Sequence, residues 1–429
     1  MILDDIARVI YAPATAFKKI IENPKYLGAI IILLLFIGLQ MGYAYAQFSK
    51  TYTENTSPAI GQLSDYINAT AAMSSEPNST LWRASAGVTI SNNFDDYFNY
   101  SVYVPAIIGN YSLFGNSSLE IDANNASAVS AALSNAFNVS CAAGGFENLS
   151  MTLKQVQPQI VPTSATITLY SVADSNYYTY DLTSLMSNSS DINQWNNLTI
   201  PVGPSAQGWA VGGAPSWGNI TALKLDFNYP SGSNFVIRIG ALFFHGEYQT
   251  FIQTYGPNAL LSFLEAFSLQ FIFSWLLLTG LIYLFFKGLK ANITWKPLFV
   301  AVVFALFVMV IRSVVNIAVA FTLPTVYYPF DVSLGVTSNP YGAIYVPVQA
   351  AVTYTAQSQA VLNNIVAVTS GFDFVVEAMF LVSYVWLGAL CTIIVGTLQP
   401  EFSMMKRILI AAVSVAVTWF VLVLFVGFV

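Results

Sequence analysis

Residues 297–322 read PLFVAVVFALFVMVIRSVVNIAVAFT, and in that stretch the only charge is Arg312. A helix needs about 20 apolar residues to cross the hydrocarbon of a bilayer, so this run alone predicts a membrane protein. Four further stretches are long and apolar enough, at roughly 27–47, 259–286, 372–398 and 406–428. The whole chain of 429 residues is 55% hydrophobic and only 8% charged, against about 25% charged in an ordinary soluble protein.

The basic residues set the orientation. Arg8, Lys18, Lys19 and Lys25 precede the first span, Lys287, Lys290 and Lys296 lie between the second and third, and Lys406 and Arg407 lie between the fourth and fifth. The segment 323–371 has no Lys or Arg. Cationic loops stay on the cytoplasmic side, which predicts a cytoplasmic N-terminus, an exoplasmic C-terminus and an exoplasmic insert after the first span. With a net charge of −6 and no basic tract, nucleic acid is excluded as a partner.

The expected fold is an α-helical five-span bundle with an inserted all-β jelly-roll (β-sandwich) domain. Residues 1–26 form a cytoplasmic amphipathic segment, because Ile2, Ile6, Val9, Ile10, Phe17, Ile20 and Ile21 recur at helical spacing, with breaks expected near Pro13 and Pro24. Residues 27–47 are the first transmembrane helix and 48–89 an exoplasmic linker, of which the Ala- and Ser-rich part from 55 to 87 reads as a helical stalk. Residues 90–257 alternate in the manner of half-buried strands, as in Thr166-Ile167-Thr168-Leu169-Tyr170 and Leu223-Lys224-Leu225-Asp226-Phe227. Residues 258–429 supply four more transmembrane helices, with an exoplasmic loop at 323–371.

The sequon Asn-x-Ser/Thr begins at Asn55, Asn68, Asn78, Asn99, Asn110, Asn116, Asn125, Asn138, Asn148, Asn188, Asn197 and Asn219, all inside the insert. N-linked glycans are therefore expected on the exoplasmic domain. The one sequon elsewhere, Asn292, falls in a loop that charge places inside. A glycosylated, charge-poor surface domain fits an archaeal cell envelope.

Two resemblances add to this reading. The stretch from Ala12 to Pro24, APATAFKKIIENP, followed by one span and later by four more, resembles the Yip (Ypt/Rab-interacting protein) membrane-domain family over 1–47 and 258–429. That resemblance implies a five-helix bundle with a cytoplasmic N-terminus, and the insert is a departure from it. Tyr178 to Leu182, Trp195 to Pro201, Trp217 to Thr221 and Ile237 to Phe244 resemble a galactose-binding-like jelly roll over about 90–248. Gly240 stands where relatives often carry an Asp in the last strand, so the resemblance brings no metal site with it.

Candidate chemistry is sparse. His245 is the only histidine, and no second His or Cys lies near it in sequence, which excludes a His-based metal site and leaves no visible nucleophile, base and orienting group. The chain is expected not to be an enzyme and to carry no cofactor, structural Ca²⁺ at Asp95, Asp96 and Glu247 being the weak exception. Gly212-Gly213 reads as a turn, with no phosphate-loop context. Trp82, Trp195, Trp209 and Trp217 are candidate carbohydrate contacts, with core packing as the blander role. Cys141 and Cys391 lie in environments too different for an internal disulfide.

Within the spans, Arg312 falls roughly 13–15 Å below the outer end of its helix, and Glu265 and Glu377 about 8–11 Å deep on theirs. Asp373 shares a helix face with Glu377. Buried charges seek partners, so an Arg312–Glu265–Glu377 cluster is expected, as a polar lock or as an ion relay. The function expected from all of this is a non-enzymatic membrane scaffold displaying a glycosylated sandwich, for adhesion, envelope organisation or as a subunit beside other membrane or envelope proteins. A transporter built on the Arg312 cluster and a carbohydrate receptor are the alternatives.

Overall fold

A computed structural model describes residues 2–57, 81–93, 118–134, 137–187, 192–329, 336–337, 346–347 and 356–426. The chain opens with two short amphipathic helices, α1 (Ile2–Tyr11) and α2 (Pro13–Glu22), broken at Ala12, with Pro13 as the first residue of the second. Proline is tolerated there because the first helical N–H has no intrahelical acceptor. Their apolar faces do not lie open: Val9 and Phe17 are buried in the same core as the long helices.

Among the described residues, five helices are long and apolar enough to cross a bilayer: α3 (Tyr26–Phe48), α4 (Phe251–Gly288), α5 (Trp295–Ala320), α6 (Ala356–Leu398) and α7 (Met404–Val426). Helix α5 is the most enclosed, contacting α3, α4 and α6, and its run from Val300 to Leu306 is almost wholly shielded. This is why its sequence is apolar on every face rather than on one stripe. Helix α6 begins at Ala356, well before the predicted start near 372, so the segment joining α5 to α6 is shorter than the sequence suggested.

Between α3 and α4 lies a large β-sandwich. Its strands are β1 (Thr51–Thr56), β2 (Trp82–Ala84), β3 (Val88–Asn93), β4 (Ser118–Leu133), β5 (Asn148–Gln157), β6 (Ser164–Ser171), β7 (Ala173–Asp181), β8 (Asn196–Pro201), β9 (Trp209–Gly212) and β10 (Ala222–Thr250). Strand β10 is the spine: its first part pairs with β6 and β4, its middle with β4 and β5, and its last residues with β1. The register shifts between Asn228 and Ser233, where Gly232 takes a positive φ. A bulge there lets one strand serve both layers. Alternate residues Leu149, Met151 and Leu153 of β5, and Leu223, Leu225 and Phe227 of β10, fill a core separate from that of the helices.

The stalk expected at 55–87 is different at both described ends. Asn55 and Thr56 belong to β1, and Trp82–Ala84 forms a strand paired with Leu133–Ala131 of β4. Residues 58–80 of that stretch lie outside the described residues.

Candidate functional site

The sandwich meets the helices at a small collar. Helix α3 runs into β1 after one turn, and β10 runs straight into α4, whose N-terminus is closed by a capping box between Thr250 and Gln253. Such reciprocal caps satisfy two orphan helix N–H groups. Strands β1 and β10 pair antiparallel from Tyr52↔Thr250 to Thr56↔His245. A third strand, β11 (Val326–Tyr328), follows α5 and pairs parallel with β1. Lys50 Nζ donates to the carbonyls of Phe321 and Leu323 at 2.5 and 2.6 Å, placing a cation on the C-terminal end of α5. Phe48 stacks on Phe251 at 4.5 Å where the two helices meet the strands.

At the head of this collar the lone histidine is far from alone. His245 Nδ1 lies 2.7 Å from Glu54 Oε1 and Nε2 lies 2.8 Å from Ser150 Oγ, while Ser150 Oγ is 3.0 Å from Thr199 Oγ1. The residues come from β1, β5, β8 and β10, and Glu54, Ser150 and His245 are all buried. Because a carboxylate can only accept, Nδ1 carries the proton donated to Glu54 in the neutral ring, and Nε2 accepts from the Ser150 hydroxyl. In the sequence no base stands beside an orienting group. Glu54 and Ser150 are far from His245 in the chain, and only the pairing of β1 and β5 onto β10 brings them together.

The four tryptophans separate. Trp82 is buried in the sandwich core. Trp195 is half-buried in the turn before β8. Trp217 stacks on Tyr178 at 3.8 Å, and Trp209 meets both edge-on while donating its Nε1–H to the carbonyl of Pro201 at 2.7 Å. Gly212 lies beneath the Tyr177 ring, where an added Cβ would fall 2.2 Å from it and push the ring aside. Trp209 and Trp217 thus use their faces and edges largely on one another and on tyrosines. Among the calcium candidates, Asp95 and Asp96 lie outside the described residues, and Glu247 accepts from Gln249 Nε2 at 2.9 Å.

The expected cluster around Arg312 does not assemble. Arg312 is buried, but Glu265 and Glu377 are exposed on the outer surfaces of α4 and α6, and no ion pair joins them to Arg312 among the described residues. The guanidinium lies over the Phe380 ring at 5.4 Å, with Tyr384 and Tyr43 as its electrostatic neighbours, and Arg312 Nε has no hydrogen-bond partner among the described residues. Asp373 is half-buried and close to Tyr43 and Tyr328 rather than to Arg312. The sequence brings these residues to similar depths but does not say which way each side chain faces.

Of the sequons, Asn125 and Asn138 are exposed, while Asn55 and Asn148 are half-buried in strands. Asn219 is half-buried with its Oδ1 enclosed and unpartnered. The backbone of Asn197 lies in β8. Asn68, Asn78, Asn99, Asn110, Asn116 and Asn188 lie outside the described residues. Asn292 is exposed in the turn between α4 and α5.

Fold and sites together define a class: a β-sandwich inserted between the first and second of five long apolar helices. No sequence-family model and no curated protein matches the chain. The β-sandwich resembles solved structures, among them carbohydrate-binding modules. A family 11 carbohydrate-binding module from Clostridium thermocellum, in complex with a beta-1,3-1,4-mixed-linked tetrasaccharide, is 10% identical, with 44% of this chain and 94% of the module covered and a TM-score of 0.24. A beta-1,2-glucanase from Parabacteroides distasonis is 14% identical, with 44% and 25% covered and a TM-score of 0.26. An exo-beta-agarase is 8% identical, with 40% and 23% covered and a TM-score of 0.27. These are likenesses of strand arrangement and carry no ligand with them.

Proposed function

We propose that this chain is a five-span membrane scaffold that holds a glycosylated β-sandwich in a fixed attitude on the exoplasmic face, its N-terminus in the cytoplasm. The observation that carries the reading is the collar. A domain merely tethered to a membrane needs one flexible connection, whereas here both connections are zipped into one β ladder, a third strand from the α5–α6 segment joins it, and Lys50 caps a neighbouring helix. Short connections of this kind leave the sandwich little freedom to tilt. A display or docking role gains from that stiffness, because a partner meets a preoriented surface and less entropy is lost on binding. Other membrane or envelope proteins are the partners such a surface suits.

The topology is tested by cysteine labelling in intact cells. Cys141 and Cys391 are buried and give little background. Ser205→Cys, on an exposed sandwich loop, should react with a membrane-impermeant maleimide, and Asn292→Cys only after permeabilisation. Reaction of position 292 in intact cells would overturn the orientation and the display role.

A further inference from the structure

The Glu54, His245 and Ser150 line uses the atoms that activate a serine: carboxylate on Nδ1, hydroxyl on Nε2, both at hydrogen-bond distance. Such sets are recognised by geometry and role, whatever strands or helices carry them. Their place on the sheet matters as well. Leu149, Ile200 and Phe244 point into the sandwich core, so their neighbours Ser150, Thr199 and His245 stand on the opposite face. Thr199 is exposed and its hydroxyl is 3.0 Å from Ser150 Oγ, marking the side on which a carbonyl meets the serine.

We propose that Ser150 is the nucleophile of an acyl-transfer site for small carboxylic esters, with His245 as general base and Glu54 as the group that orients it. Ser150 Oγ bonds to the ester carbonyl carbon and its proton passes to His245 Nε2. The bond to the alcohol oxygen then breaks, and the departing alkoxide takes that proton. Water attacks the acyl-serine, Nε2 receives its proton, and the carboxylic acid leaves as Ser150 regains its hydrogen. Glu54 accepts from Nδ1–H throughout, while the Thr199 hydroxyl donates to the carbonyl oxygen as charge develops on it. Ser150 is 4% exposed and His245 8%, which restricts the acyl group to a small one and points to acetyl esters.

The test uses the full chain in detergent micelles with a fluorophosphonate probe and with p-nitrophenyl acetate and octanoate. The expected result is a probe adduct on Ser150 by peptide mass spectrometry, and turnover of acetate well above octanoate. Ser150→Ala should lose the adduct, and His245→Gln should slow both labelling and turnover at least about 100-fold. Glu54→Gln should slow them with a shifted pH profile, and Thr199→Val should lower turnover more than labelling. Thr152→Val, on the same strand and face but outside the set, should change neither. No adduct on Ser150 in the folded wild type overturns the proposal, as does an adduct whose rate is indifferent to His245→Gln in a variant that keeps the wild-type melting temperature. If His245→Gln does not fold, the wild-type adduct and its position decide alone.

Discussion

The guanidinium of Arg312 rests on the face of Phe380, 5.4 Å from the ring centre, and no carboxylate among the described residues pairs with it. A desolvated cation–π contact offsets about 2 kcal/mol, less than the several kcal/mol it costs to bury an ion. Arg312→Met should therefore be neutral or stabilising in thermal unfolding of the detergent-solubilised protein. A loss above about 2 kcal/mol would show that the charge is compensated and would revive the polar-lock reading.

At the collar the sign reverses. His245→Ala removes the Nδ1–H partner of the buried Glu54 Oε1 and should cost about 1.5–3 kcal/mol, the worth of a hydrogen bond to a charged group. The double change with Glu54→Gln should recover part of it. Denaturant unfolding followed by tryptophan fluorescence measures both, and additive losses would mean the two side chains are not coupled.

Cys141 gives a pH signature. Burial pushes its thiol up to about 12, so the folded protein should resist Ellman's reagent at pH 8 until it unfolds. Its folded pKa lies above the unfolded value of about 8.5, so the associated stability is whole below pH 8.5 and drains away as pH rises toward 12. Cys141→Ala should flatten that part of the stability profile; an unchanged slope would assign it to the tyrosines.

Trp217 is half-buried and stacked on Tyr178. Trp217→Ala should destabilise the sandwich by up to about 3 kcal/mol, the lower end for loss of a large aromatic. Calorimetry measures that loss. A variant of unchanged stability that loses binding on a glycan array would instead make Trp217 a sugar contact.

Glycopeptide mass spectrometry of protein from native membranes should find glycans at the exposed Asn125 and Asn138, fewer at Asn219 with its enclosed Oδ1, and none at Asn292. An insert unmodified at all twelve sequons would remove the glycosylated surface from the proposed function.

What could be read in the sequence and what could not divide along one physical line. The five apolar helices were legible because each is a continuous property of its own residues, and so were the alternating strands around Ile167 and Leu225. The break at Pro13 was legible for the same reason. The Ser150, His245 and Glu54 set was not, because it depends on pairings across 95 and 191 positions and on the bulge between Asn55 and Thr56. The Arg312 cluster failed differently: rise per residue fixes depth well, but over the distances between helices a modest rotation about the axis turns a glutamate from the interior to the outer surface. Asn55 and Trp82 look like stalk in the sequence because short polar strands that borrow their partners from afar have little local signal.

The pairing of β1 with β10 also fixes how the molecule would carry mechanical load. Both strands leave the sandwich toward the same side, β1 into α3 and β10 into α4. A pull on the sandwich away from the helices stretches the two strands in parallel, so tension is shared and no rung of the ladder between them is peeled. Forcing α3 and α4 apart would do the opposite, opening the ladder one rung at a time from Tyr52↔Thr250 toward His245. The joint is stiff to traction along its axis and yields to spreading at its base, so a sideways rearrangement of the helices is felt first at Tyr52↔Thr250 and last at the rung that holds His245.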